Sequence, residues 1–381
     1  MSSRGIALLL LLAVTPVAAH GQKLGGVFRD PEDGRMDVSE WLLTRKGFLP
    51  IPIIVTEPAV GYGGGVALAF FSQSLAEGAG AGSTSNQFSP PLIAAAAGFY
   101  TSDASYGGGV ALFYPFRHDQ FRYFGALGGA SLNLDFYGFD ADGPLATDPV
   151  PYTLDPRFLV QRLQARIKRT AFFAGAHYLY VNTKTAFDVA LPSDVPQRDL
   201  ELSLGGLGAS VELDTRDNLL DARRGMDVTA SSTWYADAFG SDVAFERYQA
   251  QGLFYWQPTE TWGYGLRVDS RFSSDDAPFF MKPFLSMRGI ASGQYSTDVT
   301  LLGEGELRYS LDSRWTILGF GGAGRVAETL GNLGGEPTVG AGGVGFRYLI
   351  ARKLGLGTGI DFALGPGGDF AFYIQTGSAW R

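Results

Sequence analysis

The chain has 381 residues, a formal net charge of −8, 45% hydrophobic residues, 18% charged residues, 53 glycines and no cysteine. The lack of cysteine excludes disulfides, thiolate metal sites, a cysteine nucleophile and a lipoprotein anchor. The acidic balance argues against nucleic acid as a partner, and the length predicts two or three soluble domains unless the chain closes into one large β-barrel.

Residues 1–19 have the pattern of a secretory signal peptide. Arg4 precedes an apolar run from Gly5 to Val14, and Val17-Ala18-Ala19 supplies small residues before an expected cut ahead of His20. The apolar run is too short to span a bilayer as a helix, and no later segment approaches about 18 consecutive apolar residues. We therefore expect a secreted chain that is either a soluble β protein or a membrane-embedded β-barrel.

Residues 20–47 form a short, largely polar leader without a strand pattern. Asp30, Glu32 and Asp33 make an acidic cluster, and Asp37 is placed to cap a short helix over residues 38–43. The leader is too small to be an independent domain. It is expected to be periplasmic, and either to cover or plug the barrel lumen or to act as a linker.

From Phe48 onward the chain reads as strands, so residues 48–381 are predicted to form one all-β domain, a transmembrane antiparallel β-barrel of about sixteen strands. The predicted strands cover residues 51–56, 61–72, 91–100, 106–114, 121–137, 155–167, 170–182, 201–214, 225–236, 242–256, 262–273, 298–310, 315–327, 339–350, 354–364 and 369–380.

Several of these strands alternate strictly between apolar and charged residues. In the strand over 298–310, Leu301 and Leu307 fall on one face while Glu304, Glu306 and Arg308 fall on the other. A soluble sandwich would turn the charged face to solvent, whereas a barrel would turn it to an aqueous lumen. Alternation alone does not separate the two.

The lengths of the connections favour the barrel. If the chain starts in the periplasm, the short connections 115–120, 168–169, 257–261, 311–314 and 351–353 all fall on the periplasmic side. The long connections 138–154, 183–200, 274–297 and 328–338 all fall on the other, as in outer-membrane barrels. The exception is 73–90, which is either a flexible insertion on the periplasmic side or a sign that the first strands are misplaced.

The predicted last strand alternates like a strand between lipid and water. Phe370, Phe372 and Trp380 share one face, and Asp369 and Tyr373 share the other. An aromatic residue near the end of the chain is typical of outer-membrane barrels. A soluble edge strand could show the same alternation.

Two further stretches are more specific. One runs from Leu213 to Gly225 and contains Asp214, Thr215, Arg216, Asp217 and Asn218; the other is the stretch Met287, Arg288, Gly289 in the predicted sixth extracellular loop. Together with the terminal strand, they resemble the barrel domain of the BamA/TamA outer-membrane assembly superfamily, also called bacterial surface antigens, over about residues 48–381.

The resemblance implies a sixteen-stranded barrel whose sixth extracellular loop folds back into the lumen. It implies that Arg288 pairs with acidic residues of the inner wall, here Glu306 and Glu304, and that Gly289 lets the loop backbone pass closely. The chain departs from the family where a second wall acid is usual, because that place reads Gly322-Ala323-Gly324.

Two other departures concern Ala222, which stands where a turn proline is common, and the leader, which cannot hold one of the family's POTRA domains. The sequence is therefore identified as similar to a POTRA-less branch. The resemblance also suggests a weak seam between the first and last strands that serves as a lateral gate, and Pro50 and Pro52 fit this because proline lacks a ladder donor.

The sequence thus predicts a non-enzymatic protein of the cell outer membrane that assists insertion or translocation of protein or lipid. The expected partners are outer-membrane lipids and client outer-membrane proteins, with no nucleic acid, cofactor or metal. The alternative is a passive pore for small solutes, with the basic row of Arg162, Arg166 and Lys168 favouring anions. A lipid enzyme is disfavoured because no serine can be matched to any of the three histidines His20, His118 and His177.

Overall fold

A computed structural model describes residues 28–44, 47–72, 92–139, 143–146, 148–168, 170–190, 192, 195–218 and 220–380. Each strand pairs in antiparallel fashion with the next in the chain, which gives one sixteen-stranded, nearly closed barrel. The strands are β1 Gly47–Val55, β2 Gly63–Phe71, β3 Ile93–Thr101, β4 Tyr106–Phe116, β5 Phe121–Phe136, β6 Val150–Arg166, β7 Phe172–Phe187, β8 Glu201–Asp214, β9 Gly225–Tyr235, β10 Phe245–Trp256, β11 Trp262–Ser273, β12 Val299–Ser310, β13 Trp315–Ala327, β14 Val339–Ala351, β15 Leu356–Leu364 and β16 Phe370–Thr376.

Helical structure is confined to short pieces. The helix α1 covers Ser39–Thr44, and the Asp37 carboxylate accepts the Ser39 N–H at 2.7 Å, so the expected cap is present and the helix begins one residue later than predicted. Within the described residues, single 3-10 turns cover Pro58–Val60, Pro144–Ala146, Gln197–Leu200, Asp237–Phe239, Phe279–Met281, Arg352–Leu354 and Pro366–Gly368. No helix in this part of the chain is both long and apolar enough to cross a membrane.

The all-β, sixteen-stranded prediction is confirmed, but the last strand was predicted too long. β16 ends at Thr376 rather than at residue 380. The reason is Gly377, whose φ of +74° lies in the left-handed region and breaks the extended backbone. Trp380 therefore does not share a face with Phe370 and Phe372.

The two faces of the barrel wall differ as the alternation predicts. On the outer face Leu266, Leu301 and Leu307 are more than 40% exposed, whereas on the inner face Arg267 and Glu304 are at most 1% exposed. Aromatic side chains pair on the outer face near the strand ends, as in Trp256–Tyr264, Trp262–Tyr309 and Phe362–Phe370. An apolar outer wall with aromatic side chains near both rims surrounds a polar interior.

One end of the barrel carries short turns and is the end where β1 begins. The other carries long loops and is the end where β1 stops. The β2–β3 connection belongs to the short-turn end, and its residues 73–91 lie outside the described residues, as does the predicted signal peptide. The strands flanking that connection lie close to their predicted positions, so the first strands were not misplaced.

The leader packs on the short-turn end of the barrel. The fully buried Arg314, in the β12–β13 turn, forms ion pairs at 2.6 Å with Asp30, Asp33 and Asp37. Arg352 of the β14–β15 turn adds a 2.6 Å ion pair with Asp30. The acidic cluster of residues 30–37 therefore attaches the leader to two turns of the last strands.

Candidate functional site

The long β11–β12 connection, residues 274–298, folds as a compact loop, which we call loop 6. A β-bridge joins Phe284 to Ser296, and the Leu285 N–H donates to the Tyr295 carbonyl at 2.9 Å. Leu285 and Met287 are almost completely buried, and the Met287 sulfur occupies space beside Gly322, where a Cβ would lie only 2.4 Å from it. This glycine, which stands where the resemblance implies a second wall acid, thus makes room for the loop.

Arg288, at the turn of loop 6, meets three carboxylates of the barrel wall. Its guanidinium lies 2.7 Å from Glu304, 2.9 Å from Glu306 and 2.7 Å from Asp361. The first two are on β12 and were predicted, while Asp361 on β15 was not. The guanidinium also lies over the Phe320 ring at 3.7 Å from the centroid. Arginine suits such a site because its planar group donates several hydrogen bonds at once.

The three carboxylates are balanced by further inner-wall arginines. Asp361 also binds Arg347, at 2.6 and 2.9 Å, and Glu306 also binds Arg308 at 2.6 Å. The buried network comprises five arginines and five carboxylates: Arg267, Arg271, Arg288, Arg308 and Arg347 with Asp221, Asp269, Glu304, Glu306 and Asp361. Such a balanced network avoids the large penalty of a buried, unpaired charge.

The network continues to the short-turn end of the barrel. Arg308 donates to the Asp221 carboxylate at 3.0 Å and to the Ala222 carbonyl at 3.3 Å, both in the β8–β9 connection. A chain of ion pairs therefore runs from Arg288 through Glu306 and Arg308 to Asp221. It connects loop 6 with a turn at the opposite end of the barrel.

The predicted motif around Asp214 builds that turn. Arg216 pairs with Asp214 at 2.8 Å, and the Thr215 N–H donates to the Met226 carbonyl at 2.8 Å. Gly225 has a φ of +93°, and a Cβ there would lie 2.2 Å from the Thr215 carbonyl. Glycine is therefore required where the turn returns to β9.

Two polar residues of the motif hold the interior of the turn. Asp217 accepts the backbone N–H groups of Arg223 and Arg224 at 3.0 and 3.1 Å. Asn218 donates to the Leu354 carbonyl at 2.8 Å, although the two are 136 residues apart. The motif residues thus shape the turn and fasten it to the β14–β15 turn.

The C-terminal residues after β16 turn into the barrel. Trp380 is 3% exposed, lies 6.2 Å from the Tyr255 ring and lies 5.8 Å from the Arg288 guanidinium. The Ser378 N–H donates to the Leu220 carbonyl at 2.8 Å. The terminal aromatic is therefore part of the interior packing around loop 6 and the β8–β9 turn.

The seam between β1 and β16 is not closed by a ladder. The described residues include all of both strands, and each pairs only with its other neighbour, β2 or β15. Pro50 and Pro52 lie two residues apart on β1, so their missing N–H donors fall on one edge. Because the register with β2 is unbroken, we infer that this is the edge facing β16.

Loop 6 holds both sides of the seam. The Gly289 N–H donates to the Tyr373 hydroxyl of β16 at 3.0 Å, and the Ser292 N–H donates to the Glu57 carboxylate of the β1–β2 connection at 3.1 Å. Burial raises the pKa of Glu57 above its ordinary value, although the bond from Ser292 opposes that shift. On the outer surface the Tyr62 and Phe372 rings stack at 5.2 Å across the same gap.

Sequence reasoning missed Asp361, Arg308, Asp221 and Glu57. Asp361 could have been found from the sequence, because it is a carboxylate at an inward-facing position of an otherwise apolar strand. Arg308 also had a local signal, because it lies two residues from Glu306 on the same face of β12, whereas Asp221 and Glu57 become partners only through contacts distant in sequence. Among the described residues there is no group of three or more histidines and carboxylates placed to hold a metal ion.

No protein-family model matches the sequence, and no curated protein sequence matches it. The structure is similar to that of BamA from Haemophilus ducreyi lacking POTRA domains 1–3, with a TM-score of 0.59 and 12% identity, over 87% of this chain and 70% of that chain. It is also similar to CdiB from Escherichia coli, with a TM-score of 0.59, 12% identity and coverage of 86% and 61%. CdiB from Acinetobacter baumannii matches with a TM-score of 0.54, 10% identity and coverage of 86% and 59%.

These similarities define the class of protein as a sixteen-stranded barrel with the fold of BamA and CdiB. They confirm the predicted resemblance to the BamA/TamA barrel domain at the level of the fold. This chain spans about six tenths of the length of the two CdiB chains.

Proposed function

We propose that this protein is an integral outer-membrane barrel that assists insertion or translocation of protein or lipid by opening its β1–β16 seam to the bilayer. The apolar outer wall supports a membrane location, because a soluble protein rarely leaves so many large apolar side chains exposed around its circumference. The polar inner wall suits an interior shielded from lipid.

The observation that carries the proposal is the way the seam is held. Two hydrogen bonds from Gly289 and Ser292, and one ring stack, join the two sides where a ladder would supply a row of backbone bonds. Individual hydrogen bonds contribute only about 0.5–1.5 kcal/mol each to stability. We infer that the seam opens more readily than a junction with a full ladder, although a buried apolar cluster of Leu49, Ile51 and Ile53 with Ile350 and Leu356 also joins its two sides.

We further propose that loop 6 lies within the lumen and links the two ends of the barrel. A change at the β8–β9 turn would pass through Asp221, Arg308 and Glu306 to Arg288, and so to the loop that holds the seam. The protein acts in this proposal without catalysing a covalent reaction. Its partners are outer-membrane lipids and client outer-membrane proteins.

A crosslinking pull-down from outer membranes tests the proposal. Cysteines are placed singly at Phe48 of β1 and at Ile374 of β16, and the chain has no native cysteine to interfere. The matched control is a cysteine at Leu207, which lies on the outer face of β8, away from the seam. Client outer-membrane proteins captured at the seam positions and not at Leu207 support the proposal; equal or no capture contradicts it.

A passive pore is the second candidate, and the exposed Arg162 on the inner face of β6 favours it. The other two residues of the basic row give less support to a pore, since Arg166 is paired with Asp119 and Lys168 lies in a turn. Planar-bilayer recordings separate the two functions. A steady anion-selective conductance supports the pore, and brief rare openings support the seam.

A further inference from the structure

A second internal site lies away from the Arg288 network, at the long-loop end of the barrel. It is a cavity of about 350 Å³ between loop 6, the β1–β2 connection and the ends of β5 and β6. At roughly 30 Å³ for each water-sized group, this space holds about a dozen heavy atoms. It falls in the lower part of the range found for small-molecule sites.

Most of the cavity wall is apolar. Phe136, Tyr152 and Phe279 pack edge to face on one side, with centroid separations of 5.4 Å from Phe279 to each of the other two. Leu132 and Leu154 extend the same surface. A wall of this kind binds the hydrocarbon part of a ligand and excludes water from it.

One cation in the wall has no carboxylate partner. Arg247 of β10 is half-buried and turned inward like its strand neighbours Phe245 and Leu253. The Tyr235 hydroxyl lies within its hydrogen-bonding reach, and the other charged side chain that acts on it is another cation, Arg271. Among the described residues no carboxylate lies within ion-pair distance of Arg247, which distinguishes it from the paired arginines of the network around Arg288.

The other charged groups of the wall are accounted for. Lys282 forms an ion pair with Asp298 and lies 5.3 Å from the centre of the Phe139 ring. Glu57 accepts the Ser292 N–H, and Asp135 is exposed at the rim. The guanidinium of Arg247 is therefore the positive charge in the cavity wall that a bound ligand would neutralise.

We propose that this cavity binds a monoanionic amphiphile, a carboxylate on an aliphatic chain of about ten carbons, with the carboxylate at Arg247 and the chain against the Phe136–Tyr152–Phe279 wall. A carboxylate matches the guanidinium by accepting two parallel hydrogen bonds. It also supplies the counter-charge that the barrel does not. The cavity borders the seam contact between Glu57 and Ser292, but the inference does not depend on the seam opening.

Photoaffinity labelling of the purified full-length protein in nonionic detergent tests this site. The probe is decanoic acid with a diazirine in its chain, and the matched neutral probe is the corresponding decanol. Mass spectrometry is expected to place the decanoic acid label on the cavity wall, at Phe136, Tyr152 or Phe279, and excess decanoate is expected to remove it. Equal labelling of the wall by the decanol probe, or labelling confined to the outer face, overturns the proposal.

Substitutions at Arg247 show whether labelling depends on the charge of its side chain. Arg247→Gln is expected to lower labelling at least about tenfold, the factor that corresponds to losing one charge-assisted hydrogen bond. Arg247→Lys is expected to retain most of it, and Arg162→Gln, an exposed inner-wall arginine outside the cavity, is expected to leave it unchanged. Wild-type labelling in Arg247→Gln contradicts the proposal.

If Arg247→Gln fails to fold, as judged by loss of the heat-modifiable shift on electrophoresis, Leu154→Trp replaces it. This change fills the cavity without altering any charge, so labelling is expected to fall in a folded barrel. Undiminished labelling of Leu154→Trp overturns the proposal.

Discussion

The backbone N–H of Gly289 donates a hydrogen bond of 3.0 Å to the hydroxyl of Tyr373, so the turn of loop 6 is bound to the last strand of the barrel. Three residues further on, Ser292 binds Glu57 beside the first strand. The same loop carries Arg288 into three wall carboxylates. Loop 6 thus joins the first and last strands of the barrel, whereas backbone ladders join all the other neighbouring strands.

Arg288→Gln is predicted to lower the free energy of unfolding by about 3–5 kcal/mol, because Glu304, Glu306 and Asp361 then lose a shared buried partner. Urea titration in detergent micelles measures the change. The matched control is Lys184→Gln, in an ion pair with Glu201 that is exposed on both sides, for which we expect a change within about 0.5 kcal/mol. Equal stability of Arg288→Gln and the control would contradict the buried network.

Gly289→Ala and Gly293→Ala form a matched pair. Both glycines have a φ above +90°, which costs an alanine about 1–2 kcal/mol. Only Gly289 is crowded, since its Cβ would lie 3.1 Å from Ala341 and 3.2 Å from the Leu364 backbone, whereas a Cβ at Gly293 meets nothing within 4 Å. We predict that Gly289→Ala is the more destabilising by about 1–3 kcal/mol, and identical unfolding curves would show that loop 6 does not pack there.

Trp380→Ala is predicted to cost about 3–5 kcal/mol by opening a cavity beside Tyr255 and Leu253. The control is Trp256→Ala, whose side chain is 64% exposed on the outer face and leaves no internal cavity. Thermal unfolding in micelles compares them. A smaller loss for Trp380→Ala than for Trp256→Ala would place the terminal tryptophan outside the barrel.

Attachment of the leader is predicted to depend on pH. The hydrogen bond from Arg314 lowers the pKa of Asp33; at Asp37 burial raises the pKa, but hydrogen bonds from Ser39 and Arg314 outweigh it and the net shift is downward. A lowered pKa in the docked state means that attachment is complete above the ordinary value of about 3.8 and is lost as the pH falls through and below it.

A nitroxide on Met36→Cys measures this attachment, because Met36 lies on the exposed side of the leader. We expect an immobile spectrum at pH 7, a mobile fraction that grows as the pH falls below about 3.8, and a mobile spectrum at pH 7 in Arg314→Gln. Arg35→Gln, which removes only an exposed ion pair with Asp312, is expected to leave the spectrum unchanged. A label that stays immobile at every pH and in Arg314→Gln would contradict docking through Arg314.

The strands could be predicted from sequence because alternation is a local signal. Leu301 and Glu304 lie on opposite faces through the geometry of one strand, and the barrel keeps that order. The pairing of Arg288 with Glu304 and Glu306 followed from the resemblance, which placed both in adjacent segments. In the structure the Arg288 guanidinium lies 2.7 Å from Glu304 and 2.9 Å from Glu306.

The remaining parts depend on closure of the barrel. Asp361 is 73 residues from Arg288, and no local pattern joins β15 to loop 6. The inward turn of Trp380 depends on one left-handed glycine, Gly377, in a segment whose alternation otherwise predicts a longer strand. The unpaired seam was suggested by Pro50 and Pro52, but its attachment through Glu57 depends on a contact 235 residues distant in sequence.

A covalent crosslink across the β1–β16 seam tests whether the seam must open for the protein to act. Tyr62→Cys and Phe372→Cys replace the two rings that stack across it, and a short bis-methanethiosulfonate crosslinker joins the two thiols through reducible disulfides. The control pair, Leu364→Cys and Phe370→Cys, joins the already paired strands β15 and β16. We predict that crosslinking the first pair stops the barrel-assisted insertion of a client outer-membrane protein into liposomes, that cleaving the crosslink restores it, and that the control pair has no effect. Undiminished insertion with the seam crosslinked would contradict the account.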